Sequence, residues 1–223
     1  MTHQSWNFQR AGILAFGAMI EAKEKVKGML ANVLSTVIPL IGSTNICIAL
    51  AACKVLQRAA DLVPDSIIDH PTGEMFLNMF CEGLKLSQPI VASSIFWIIT
   101  NLSECYHSTN SQNVWNMNVE MVMTAVILAC DRTDIPPNMF YFKDHAYTAI
   151  LAIIQKCYNS EVQLKFLKHF VPKAKKEIEK GNDIFVISGL FSAISVKDQS
   201  NYSQLFTDWK AHWKLDGITK SLM

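Results

Sequence analysis

Ser94-Ile95-Phe96-Trp97-Ile98-Ile99-Thr100-Asn101-Leu102-Ser103-Glu104 is the stretch from which the fold can be read. It lies in the middle of a run from about Pro89 to Tyr106 that has helical periodicity and none of the two-residue alternation of a strand. Asn101 and Glu104 follow Trp97 at i+4 and i+7, so the three can line one face. Two earlier segments have the same build: Ala51 to Val55 followed by Asp61, and Ala15-Phe16-Gly17 followed by Glu21. Their acidic ends, at positions 21, 61 and 104, are 40 and 43 residues apart.

Working outward, helices are expected at Arg10–Glu21, Val26–Ile41, Ile46–Leu62, about Pro71–Leu86, about Pro89–Tyr106, about Val114–Cys130, Tyr141–Tyr158, Glu161–Lys180, Asp183–Ser195 and Tyr202–Leu215. Gly42-Ser43-Thr44-Asn45 is a stop and restart signal, and Pro64 and Pro136-Pro137 break the chain elsewhere. No hairpin turn separates β-branched runs. The expected class is therefore all-α, and the period near 40 residues selects an α-α superhelix, a HEAT/armadillo-like solenoid, over a closed bundle. Val37-Ile38-Pro39-Leu40 and Phe170-Val171-Pro172-Lys173 agree, since their prolines are 133 residues apart, three steps of about 44. One array of four to five helix pairs over residues 1–223 follows. Because Trp6 and Phe8 make it apolar from the start, it reads as a segment or shortened form of a longer solenoid, whose end after Lys197 the pattern does not set.

The 223 residues are 50% hydrophobic and 17% charged, with a formal net charge of +1. Such a chain can bury a core and is not disordered for most of its length. It lacks the basic excess of a nucleic-acid binder. The runs Ile13–Ile20 and Ala125–Cys130 are well short of the roughly 20 residues a membrane helix needs, so no membrane insertion is expected. Six cysteines, at 47, 53, 81, 105, 130 and 157, form no C-x-x-C pair and suit buried thiols in a reducing compartment. There is no zinc spacing around Cys105 and His107, no nucleophile elbow and no phosphate-cradling loop, so neither catalysis nor a metal or other cofactor is expected. Asp131 and Asp134 read as capping acids at the Pro136-Pro137 break. Lys165, Lys168, Lys173, Lys175, Lys176 and Lys180 read as a solvated helix face with Glu177 and Glu179.

Ser5-Trp6-Asn7-Phe8-Gln9-Arg10-Ala11 through Ala15-Phe16-Gly17-Ala18-Met19-Ile20-Glu21 resembles the importin-β pattern, in which Asn-Trp-Arg leads into an Ala-rich helix ending Ala-Phe-Gly-x-Ile-x-Glu. Glu24-Lys25-Val26 is similar to the start of the family's next outer helix. Ala52 to Asp61 resembles its Ala-Trp-x-x-Gly-Arg-Ile-x-Asp/Glu helix, and Phe96 to Glu104 its Ser-Trp-x-x-x-Asn-Leu-x-Glu helix. The likeness is close over residues 5–105 and loose over 106–197. It implies middle HEAT repeats of a nuclear transport receptor of the karyopherin-β class. Concave helices there hold importin-α's basic helix or a basic cargo, Phe-Gly nucleoporins enter between outer helices, and the GTPase Ran controls release. Residence in the cytoplasm, the nucleus and the nuclear pore goes with that role.

Residue by residue, the resemblance assigns partner contacts to Asp61, Trp97, Asn101 and Glu104. Composition alone would put Trp97, beside Phe96, Ile98 and Ile99, in the core. Lys54 stands where the family has the preceding repeat's Trp, and the family's strong acidity is missing. A HEAT scaffold without transport activity is therefore the alternative. Trp6 reads as the cap of an apolar stripe.

Overall fold

The computed structural model describes residues 5–68, 73–105, 113–157, 159 and 161–168. The chain divides into two compact units, Met1–Asp183 and Ile184–Met223, and every described residue lies in the first. Those residues form α1 (Trp6–Ile20), α2 (Lys23–Val37), a 3-10 turn (Ile38–Gly42), α3 (Ile46–Leu62), α4 (Asp65–Ile68), α5 (Gly73–Leu86), α6 (Pro89–Cys105), α7 (Val114–Cys130) and α8 (Phe142–Lys156). A further helix, α9, covers 161–168. Among the described residues there is no strand.

The boundaries follow from local chemistry. Asn45 opens α3 by accepting the Cys47 N–H at 3.0 Å, and Asn113 opens α7 by accepting the Asn116 N–H at 2.7 Å. Asn159 does the same for α9, taking the N–H groups of Glu161 and Val162. The helix expected over Val26–Ile41 is corrected by Pro39. A proline inside an α-helix has no N–H to give and its ring meets the carbonyl four residues back, so α2 stops at Val37 and the chain tightens into the 3-10 turn. The first helix begins at Trp6, four residues before the expected Arg10, because the Ser5 carbonyl already accepts from Phe8 and Gln9. The single-turn α4 carries no period long enough to read in advance. The helices expected over Asp183–Ser195 and Tyr202–Leu215, and the second half of Glu161–Lys180, lie outside the described residues.

The helices pack in two rows. α1, α3, α6 and α8 lie side by side, while α5 lies beside α7 and touches the 3-10 turn. The first-row helices begin at positions 6, 46, 89 and 142, steps of 40, 43 and 53 residues. Small residues set the close approaches: a Cβ on Gly17 would come within 3.0 Å of Val55 Cγ2, and one on Gly83 within 2.5 Å of Ile95 Cδ1. Glu21 reaches Arg58 at 3.3 Å, so residues 17 and 21 of the first repeat meet 55 and 58 of the next in the same order. α1 and α3 therefore run parallel, as stacked repeats must.

Between the rows lies the core, with Leu56, Phe76, Phe80, Ile95, Phe96, Val126 and Ile150 fully buried. Phe96 meets Phe142 edge to face, ring centroids 5.2 Å apart, joining α6 to α8. In the second row, Arg132 follows α7 and donates to the α5 terminal carbonyls of Leu84 and Ser87, each at 2.8 Å. Asp134 holds that guanidinium from the other side at 2.9 and 2.6 Å, and the Arg132 bonds keep its carboxyl below the usual carboxylate range. A cation at the negative end of a helix dipole is favourable, and here it locks one repeat to the next.

Candidate functional site: the exposed stripe of the first row

α6 turns one narrow stripe away from the core. Ile90, Ser94, Trp97, Asn101 and Glu104 are exposed or half-buried, while Val91, Ala92, Ile95, Phe96, Ile98, Ile99 and Leu102 are buried. Their spacing of 4, 3, 4 and 3 residues is one helical face. Trp97 is 43% exposed between Phe96 and Ile98 at 0%, so the core position that composition suggested for it is not the one it occupies. Trp97, Asn101 and Glu104 thus do share a surface. Asp61 is exposed near the end of α3, one repeat earlier, and Lys54 is exposed two turns before it.

What holds Trp97 was not visible in the sequence. Its indole N–H donates to Nε2 of His145 on α8 at 3.3 Å, and the other imidazole nitrogen, Nδ1, lies 2.7 Å from Oγ of Ser93. An Nε2 that accepts leaves the ring proton on Nδ1, so the imidazole is neutral and donates to Ser93. Desolvation lowers the His145 pKa below its ordinary 6.5, against a smaller upward pull from Asp144. The arrangement orients a ring rather than activating a hydroxyl: Ser93 is 3% exposed in the middle of a helix, where backbone N–H groups are already bonded four residues back. Tyr141 continues the aromatic surface, 5.2 Å from the His145 ring and 5.6 Å from Phe140, which is 82% exposed.

Asn101 has a tie of its own. Its Nδ2 donates to the Gln57 carbonyl at 3.5 Å, and the Gln57 side chain donates to the Ser94 carbonyl at 3.1 Å. α3 and α6 are thereby stitched along the foot of the stripe. Glu21, the acidic end of the first repeat, is paired with Arg58. Trp6 is 43% exposed, whereas Trp115 is core at 2%. Lys165 pairs with Glu120 on α7, and the other lysines of its run beyond Lys168 lie outside the described residues.

Burial pushes the thiols of Cys53 and Cys81 up to about 12 and about 11, the latter helped by Glu82, so neither is a nucleophile at neutral pH. Among the described residues no three His, Cys, Asp or Glu side chains are grouped as a metal site, and no helix is long and apolar enough to cross a membrane. His145 could have been found only by aligning repeats, since it stands 48 residues from the ring it holds.

No protein-family model and no curated protein matches the chain. Solved structures do. Yeast importin-β, Kap95p, superposes with a TM-score of 0.70 at 17% identity over 96% of this chain and 27% of its own. A structure concerned with Kap95p binding to RanGDP and nuclear import complex assembly gives 0.67 at 19% identity, over 87% of this chain and 23% of the other. Importin β from an ammonium sulfate condition gives 0.65 at 15%, over 93% and 31%. The chain spans about a quarter of the length of the first two. At these identities the likeness is one of fold, and it agrees with the resemblance drawn from residues 5–105: the chain folds as an all-α, karyopherin-like HEAT-repeat solenoid similar to importin-β.

Proposed function

We propose that this chain is a protein-binding module of a nuclear transport receptor, and that it takes a basic helix, importin-α's or a cargo's, on the exposed stripe of its first row. The observation that carries this reading is Trp97, held 43% exposed by a neutral His145 on a helix whose other large apolar side chains are mostly buried. An indole face presented in this way attracts a Lys or Arg by about 0.5–2 kcal/mol. Glu104, two turns on, and Asp61, one repeat back, supply carboxylates, and the Asn101 amide oxygen accepts an N–H from the bound helix. Helix-in-groove recognition is the expected mode. Phe-Gly nucleoporins and Ran are the further partners this role calls for, with the cytoplasm, nucleus and nuclear pore as its locations and no nucleic acid, cofactor or chemical step.

A titration of the purified chain with a fluorescent peptide of importin-α's basic helix, at two salt concentrations and beside Trp97→Ala, tests this. Saturable binding that weakens in the variant and at high salt is the expected result. A folded chain that ignores the peptide overturns it. One observation favours a second reading, a HEAT scaffold without transport activity: Lys54 is exposed on the stripe where a second indole would strengthen cation binding. That scaffold would keep the fold and fail the same titration.

A further inference from the structure

A groove of about 870 Å³ lies away from Trp97, between α5, the 3-10 turn and the starts of α3 and α6. Its apolar wall comes from Ile41, Met75, Met79 and Leu86, of which Met75 is 46% and Leu86 73% exposed. Methionines make such a wall adaptable, because an unbranched thioether repacks around different apolar partners. Among the described residues the charged ones lining it are Glu74 and Glu82, both exposed, while the nearby Lys85 of α5 takes no part. The groove is therefore mainly apolar, with polar positions at Ser43, Thr44, Asn78, Ser87 and Gln88, and among the described residues it is negative at two points. Eight residues of helix separate those points, about 12 Å, and the wall from Glu74 to Leu86 runs about 18 Å, the length of three helical turns.

We propose that this groove is a second protein-binding site, one that takes a short amphipathic partner helix with apolar residues on one face and lysine or arginine about two turns apart. The apolar face covers Met75, Met79 and Leu86, and the two cations meet Glu74 and Glu82. The charge spacing selects the partner, since an apolar helix without cations would leave both carboxylates unpaired at the rim. This site shares no residue with the Trp97 stripe and does not depend on the reading given for it.

The test uses the full chain and a fluorescent amphipathic peptide with leucines on one face and two lysines two turns apart. Glutamine and glutamate versions of the peptide serve as controls. Each of Glu74→Gln and Glu82→Gln should weaken lysine-peptide binding by about threefold, as expected for exposed ion pairs. The double variant Glu74→Lys/Glu82→Lys should lose the lysine peptide and gain the glutamate one. Trp97→Ala should bind the lysine peptide like the parent chain. Three outcomes overturn the proposal: no binding by a chain shown folded by circular dichroism, equal affinity for the lysine and glutamine peptides, or loss of binding in Trp97→Ala with the Glu74 and Glu82 variants unaffected.

Discussion

Lys54 to Asp61 on α3 and Trp97 to Glu104 on α6 occupy the same place in successive repeats, yet they offer opposite chemistry to solvent. Both have a buried face, with Val55, Leu56, Ala59 and Ala60 in one and Ile98, Ile99 and Leu102 in the other. Both end in an exposed carboxylate, Asp61 or Glu104. At the head of the stripe, however, one has an ammonium and the other an indole. The fold is indifferent to this difference because neither side chain enters the core, so the repeat can be conserved as architecture while its surface is free to change partner.

Adjacent residues of α6 give the sharpest way to break that separation. Phe96→Ala removes a fully buried ring that packs on Phe142 and should cost about 3–5 kcal/mol in chemical denaturation. Trp97→Ala, one residue on, should cost less than about 1.5 kcal/mol, since it removes a half-exposed ring and one hydrogen bond. Comparable losses from the two would place Trp97 in the stability of the fold and end its standing as a surface residue.

A smaller effect separates the two rows. Arg132 ties α5 to the chain after α7 through two carbonyls, and its side chain is only 11% exposed. Arg58 ties α3 to α1 through Glu21, with side chains 40% and 60% exposed. Arg132→Ala should therefore cost about 1.5–3 kcal/mol, because it strands helix-terminal carbonyls as well as removing charged hydrogen bonds. Arg58→Ala should cost no more than about 1 kcal/mol. Denaturation midpoints of the two variants, measured side by side, check the order.

The helix pattern was legible because the punctuation and the period are both local. Asn45 caps where Gly42-Ser43-Thr44-Asn45 was read to restart the chain, and α3 covers the expected Ile46–Leu62. Pro39 shortened a helix whose apolar period ran on past it, since periodicity records where side chains point and says nothing of a missing N–H. Trp97, Asn101 and Glu104 were placed on one face by spacing alone, and that held. His145, Ser93 and Gln57 were not seen, because each acts on a residue 37 to 52 positions away across neighbouring helices. Asp131 and Asp134 were read alike as caps, whereas Asp134 holds Arg132, whose targets lie 45 and 48 residues back. What a helix does to itself is written in neighbouring residues, and what stacking brings to it is written in residues a repeat away.

Lys54→Trp would sharpen the comparison by giving α3 the head group of α6. If the stripe is a cation-binding surface, the variant should tighten the basic importin-α helix by about 0.5–1 kcal/mol, roughly two- to fivefold. The gain comes from exchanging a repulsive ammonium for an attractive ring face. An unchanged affinity would confine the site to α6, and a weakened one would show that Lys54 itself contacts the partner.

The subtlest difference between the two segments is that only α6 depends on a titrating neighbour. His145 accepts the Trp97 N–H only while Nε2 is unprotonated, and its folded pKa is lowered from 6.5 by desolvation. The unfolded chain therefore takes up this proton first as pH falls below about 6.5, and stability declines from there until the folded imidazole is itself protonated. Once protonated, His145 can no longer accept from the indole, and it sets a cation beside the face proposed to take a lysine or arginine. Asp144 on the same helix tempers this charge, and Ser93, Trp97 and Tyr141 are the other groups against the ring. Affinity for the basic helix should accordingly fall on acidification through this range and recover on return to neutral pH. His145→Gln separates this from general acid effects, because its amide oxygen accepts the indole N–H at every pH: that variant should bind at neutral pH and lose the slope below it. A parent chain and a His145→Gln chain with the same pH profile would mean that the imidazole has no part in holding Trp97 for its partner.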